Sequence, residues 1–102
     1  MIKIQLLKGD CLEVMRGLEE NSIDLIVTDP PYGVGFSKGF DDSKEHVENN
    51  IDAWLSEMIR VLKEGSHCYI FIPVKEVDLW VLGVKEAGFE FMNLLETKTY
   101  TQ

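Results

Sequence analysis

Two short apolar runs constrain this chain more than any other feature: Ile23-Asp24-Leu25-Ile26-Val27-Thr28, and residues 67–73 with Tyr69, Ile70, Phe71 and Ile72 at their centre. Both are apolar on nearly both faces, and both are too short for a core helix. That is the pattern of strands in a parallel sheet covered on two sides. Between them Val47, Ile51, Trp54, Leu55, Met58, Ile59 and Leu62 fall on one helical stripe, which predicts a helix over 47–63 with Gly65 as its stop. Strand, helix and strand in this order imply a βαβ unit and an α/β fold with a mostly parallel sheet.

The rest of the chain extends that alternation. Residues 2–7 read as a first strand of edge character, ended by Gly9-Asp10. Residues 11–18 read as a short helix with Leu12, Met15 and Leu18 on one face, and Asn21-Ser22 as a turn. Val77, Trp80, Val81, Val84 and Ala87 make a third helical stripe stopped by Gly88, and residues 89–100 read as a final strand or hairpin. The chain of 102 residues shows no repeat, low-complexity segment or linker, so residues 1–102 are expected to form one domain.

Residues 29–46 break the periodicity with glycines and prolines. Long loops in compact domains tend to be functional. This one opens with Asp29-Pro30-Pro31-Tyr32, directly after the strand at 23–28. In open α/β sheets, ligands bind beyond the carboxyl ends of strands. Two prolines restrict the backbone and remove two donors, which fixes the Pro30 carbonyl beside the Asp29 carboxylate. Two such acceptors can take both hydrogens of an exocyclic amine, and Tyr32 offers a flat face for a base to stack on.

These residues resemble the target loop of DNA amino-methyltransferases acting on adenine N6 or cytosine N4. Gly9-Asp10-Cys11-Leu12-Glu13-Val14 resembles that family's strand-to-helix turn against the donor's adenine, and residues 21–26 its entry into the catalytic strand. Residues 60–66 and Glu86-Ala87-Gly88-Phe89 resemble its two later helix-to-strand corners. The resemblance implies a partial Rossmann-like methyltransferase fold, restriction-modification chemistry, and methyl transfer from S-adenosylmethionine to a base flipped out of DNA. It places Asp29, Pro30, Pro31 and Tyr32 at the catalytic site, and Asp10 and Cys11 against the cofactor, with no metal. Adenine is expected rather than cytosine because the loop begins with Asp. Nine residues precede Asp10, too few for a donor loop with its strand and helix. That order resembles the permuted subclass, whose catalytic half comes first; an N-terminally truncated member of another subclass is the alternative.

The departures are equally specific. No glycine-rich donor loop follows a strand, since Gly33-Val34-Gly35 lies inside the catalytic loop, and no second acidic residue suits the donor ribose. The donor-binding strands are therefore expected to be missing, together with a target-recognition region. In the family's sheet those strands lie between the first and second strands here. All three helices would then share one face, and the bare face would need self-association or a partner chain. The formal net charge of −8 is the wrong sign for gripping a phosphate backbone unaided, so basic contacts to DNA are expected from elsewhere. Two rival functions follow. One is methylation of RNA or a protein amide; the other is a silent remnant or assembly subunit.

Several residues have plainer explanations. Asp10-x-x-Glu13 is also a capping-box-like helix start. Cys11 and Cys68 form no Cys-x-x-Cys pair, which gives zinc no support, and both read as buried, reduced thiols of a cytoplasmic protein. His46 reads as a surface residue and His67 as a strand residue. Trp54 and Trp80 read as core, and Lys38 and Lys44 as solubilising. No run is long enough to cross a membrane, and the N-terminus lacks a signal-peptide layout.

Overall fold

The computed structural model describes residues 3–30 and 44–94. Five elements follow in order: α1 (Cys11–Arg16), β1 (Ile23–Thr28), α2 (Lys44–Val61), β2 (Leu62–Ile70) and α3 (Val77–Ala87), the last entered through a 3-10 turn at Val74–Glu76. β1 and β2 pair in parallel, with Leu25 opposite His67, Ile26 opposite Cys68, Val27 opposite Tyr69 and Thr28 opposite Ile70. The expected βαβ unit is present.

Gly65 does not stop α2. The helix ends at Val61 and passes straight into β2, inside which Gly65 sits at φ 81°. There Ile23 faces Leu62 while Leu25 faces His67, so β2 carries extra residues that bulge from the ladder. The Ser66 hydroxyl closes the bulge on the Lys63 carbonyl. A left-handed residue suits both a helix stop and such a bulge, so sequence alone could not separate them.

Of the strand expected at residues 2–7, the described residues 3–7 form none; Ile4 is 84% and Leu6 92% exposed. A strand exists only through its neighbour's hydrogen bonds, and among the described residues the sheet has two strands. Residues 89–94 likewise form no strand, and the remainder of that expected strand lies outside the described residues. The sheet is parallel as expected, but small.

The core is built on α2. Val47, Ile51, Trp54, Leu55 and Met58 are buried together with Trp80 of α3. Leu12 and Met15 of α1, Ile26 of β1, Cys68 and Ile70 of β2, and Leu79 and Val84 of α3 pack against them. α3 approaches α2 at Gly83, where a Cβ would come within 3.1 Å of Leu55 Cδ1. Gly88, left-handed at φ 105°, ends α3 as expected and donates to the Lys85 carbonyl.

All three helices thus share one cluster on one side of the sheet. The alternate positions face the other way: Leu25, Val27, Tyr69 and Phe71 are 52, 59, 50 and 49% exposed. Among the described residues, the sequence reading of strands covered on two sides holds for one side, and the other face is left half-exposed. The thiols also need a correction. Both are free, but Cys11 is exposed and Cys68 only partly buried, because α1 presents its first residue outward. Among the described residues no helix is long and apolar enough to cross a membrane.

Candidate functional site

The Phe71 amide donates to the Thr28 carbonyl at 2.9 Å, extending the ladder to the last residue of β1. The chain then leaves the sheet at Asp29, which is exposed, and Pro30, which is partly buried. Pro31 and Tyr32 lie outside the described residues.

Asp10 begins α1. Its backbone is extended at φ −65° and ψ 133°, its Oδ1 accepts from the Leu12 amide at 2.9 Å, and its carbonyl accepts from the Val14 amide at 3.0 Å. The capping role is therefore real, and it uses one carboxylate oxygen. Among the described residues, Oδ2 takes part in no hydrogen bond.

Asp10 and Cys11 line the same groove, of about 660 Å³, as Asp29 and Pro30. Volumes of this order suit small-molecule ligands. Leu12, Met15 and Ile26 supply apolar wall, and His46, Asn50 and Trp54 enter from α2. Arg60 holds α1 in place: its guanidinium donates to Met15 O at 2.6 Å and Leu18 O at 2.9 Å, and pairs with Glu57 at 2.6 Å. The amides of Asn21 and Ser22 donate to the carbonyls of Arg60 and Val61. The exit of α1 and the entry of β1 are thereby tied to the end of α2.

Sequence reasoning missed two groove residues. His46, read as a surface residue, is partly buried, and Asn50 had drawn no attention. Asn50 Nδ2 donates to the His46 carbonyl at 2.8 Å and lies 3.2 Å from His46 Nδ1. The His46 ring meets Trp54 edge-on, with centroids 5.6 Å apart at 65°. The available signal was their spacing of one helical turn beside the apolar stripe. Trp54 and Trp80 are core, as read, though Trp54 also reaches the groove. His67 is a strand residue, as read, and stacks on Tyr69 on the bare face with centroids 6.4 Å apart. Lys38 lies outside the described residues.

Desolvation, and then the Asp10 carboxylate, push the Cys11 thiol up. A neutral thiol beside a carboxylate suits packing or polar contact, not nucleophilic attack. Burial alone pushes the Cys68 thiol up to about 11. Among the described residues no three His, Cys, Asp or Glu side chains gather as a metal-binding group. An adenosine-bearing cofactor fits what is present, since Asp10 Oδ2 can accept from a hydroxyl or amine and the apolar wall can take a ring.

Comparison with known proteins identifies the family. Residues 23–100 match the family model N6_N4_Mtase, described as DNA methylase. The chain is 38% identical over 100 residues to "Putative methylase YubD" of Escherichia coli K12, covering 93% of this chain and 43% of that one. It is 34% identical over 102 residues to type II methyltransferase M.HpaI of Haemophilus parainfluenzae, covering 96% and 32%. It is 37% identical over 70 residues to DNA adenine methyltransferase YhdJ of Escherichia coli K12, covering 64% and 23%. The chain thus spans less than half the length of these relatives. The matched family and the shared groove lead to one assignment: the chain belongs to the DNA amino-methyltransferase family.

Proposed function

We propose that this chain supplies the base-binding loop and one wall of the donor site of an S-adenosylmethionine-dependent DNA methyltransferase acting on adenine N6. The observation that carries the reading is the groove shared by Asp10 and Asp29-Pro30. The Asp29 carboxylate and the Pro30 carbonyl accept the two hydrogens of the flipped base's amine. Its nitrogen lone pair is thereby drawn out of ring conjugation and aimed along the groove. Tyr32, two residues on, stacks on the base. S-adenosylmethionine, when bound, supplies a methyl group on an already activated sulfonium. The amine gains that carbon and loses one proton, and Asp29, already bonded to it, is the group placed to accept it. Catalysis is then positioning and charge complementarity. Asp10 and Cys11 hold the adenosine end. Adenine as acceptor is supported by the Asp-first loop and by the name of YhdJ.

The net charge of −8 favours one rival, an acceptor amine on RNA or protein instead of DNA. A labelled-methyl assay separates them, using this chain co-expressed with the portion of YubD outside its matched segment. Expected is label on adenine N6 of DNA, reduced by roughly 10²–10³-fold in Asp29→Ala. Label on RNA or protein would move the substrate class. Transfer indifferent to Asp29 would leave this chain an assembly subunit.

A further inference from the structure

His46 and Asn50 stand on the α2 wall of the groove, and the proposed reaction leaves both unused. Asn50 Nδ2 donates to the His46 carbonyl at 2.8 Å and lies 3.2 Å from His46 Nδ1. The carbonyl fixes which way the amide is turned, because an amide oxygen facing it would bring no hydrogen. The same nitrogen therefore faces Nδ1, which accepts in the neutral ring. Both amide hydrogens are thus used inside α2. Oδ1 is the group Asn50 has left, and among the described residues it takes part in no hydrogen bond. The His46 ring is itself braced edge-on against the buried Trp54. Asn50, partly buried, therefore holds a fixed acceptor on the groove wall.

Its height along the groove selects the ligand group. α2 runs down to the foot of β1, where the Ser22 amide donates to the Val61 carbonyl at 2.8 Å. From that foot, strand rise carries Asp29 up by about 23 Å and helical rise carries Asn50 up by about 16 Å. Arg60 ties the exit of α1 to the same foot, and Asp10 at its other end stands about 10 Å up. Asn50 therefore lies between the end that takes the base and the end that takes the adenosine ring. In a nucleoside the group joined to the ring is the sugar, and its hydroxyls bring hydrogens to an acceptor. We infer that Asn50 is the sugar-positioning residue of the groove, its Oδ1 accepting from a ribose hydroxyl of the adenosine-bearing donor. This rests on the proposed function and adds a residue to its donor wall.

The test titrates adenosine, 2′-deoxyadenosine and 3′-deoxyadenosine into the isotope-labelled chain and follows amide shifts by NMR, which also reads weak binding. Adenosine is expected to shift Asp10, Cys11 and the side-chain amide of Asn50. Loss of one of the two hydroxyls is expected to weaken binding roughly three- to tenfold. Asn50→Ala should weaken adenosine by the same factor and leave that deoxy analogue unchanged, a pattern that a merely structural role cannot give. If Asn50→Ala fails to fold, the parent decides: its Asn50 side-chain amide should shift with adenosine and not with the weaker analogue. Equal affinity of the parent for all three nucleosides overturns the inference, as does a loss in Asn50→Ala that is the same for all three. Adenosine weakened by Asp10→Ser but indifferent to both hydroxyls would remove Asn50 and leave the donor wall standing. No binding of adenosine would sink the donor wall of the proposed function and this inference with it.

Discussion

The Phe71 amide is bonded to the Thr28 carbonyl at 2.9 Å, one residue before Asp29. The last rung of a parallel ladder is thus laid at the foot of the loop that opens with Asp29. The point at which Asp29 leaves the sheet is thus fixed by Phe71, the residue just past β2 and more than forty positions later in the chain.

Removing that rung is a direct test. Phe71→Pro deletes the N–H and is expected to cost about 1–2 kcal/mol in denaturant unfolding. It should also lower Asp29-dependent methyl transfer in the assembled enzyme. Phe71→Leu keeps both the amide and the apolar surface and is expected to behave like the parent. Equal transfer by both variants would show that the rung does not position Asp29.

Asp10 has two separable duties. Asp10→Ala should cost about 1 kcal/mol of stability through the lost cap, whereas Asp10→Ser retains a capping oxygen. Both remove the second carboxylate oxygen and should weaken S-adenosylmethionine binding in the assembled enzyme, read by calorimetry. If Asp10→Ser binds the donor as tightly as the parent, Asp10 is a cap alone.

Arg60 is expected to be the residue that docks α1. Arg60→Met removes the guanidinium from the Leu18 carbonyl and leaves the Met15 carbonyl only its bond from the Leu18 amide, and should destabilise the chain by about 1–3 kcal/mol. Amide hydrogen exchange should rise over residues 11–18. Lysine should rescue little, because one ammonium cannot copy a guanidinium spanning two carbonyls.

The two thiols should differ in reaction and in linkage. Cys11 is exposed and Cys68 partly buried, so maleimide labelling of the native chain near neutral pH is expected at Cys11 first. Burial raises the Cys68 thiol from 9.0 to about 11 in the folded chain. The unfolded chain then loses its proton first as pH rises. Stability linked to this group is intact below about 9 and falls between 9 and 11. Cys68→Ala should flatten that part of the stability-versus-pH curve. An unchanged slope would show that Cys68 does not carry the linkage.

Much of this was legible in the residues. The period of the apolar positions identified α2 and α3, and Gly88 marked where α3 ends. β1 was found at its observed bounds because a doubly apolar run ending in Asp-Pro-Pro has few other uses. The family was legible for the same reason, since the loop that opens with Asp29-Pro30 follows that strand directly.

Contacts between segments far apart in sequence were not legible. Residues 3–7, the described part of the strand expected at 2–7, carry a strand's pattern and form no strand, because alternation describes a face and pairing requires a neighbour. Gly65 carries a helix stop's signal and became a bulge, because the register of β1 against β2 decides where extra residues go. His46 and Asn50 reached the groove only when α2 was rotated by its packing on α1, α3 and the sheet. The sequence by itself determined which stretches could be helix or strand, and to which family the chain belongs. The tertiary structure alone decided that Asp10 and Asp29 share one groove and that one sheet face stays bare, because both depend on which surfaces the chain can bury at once.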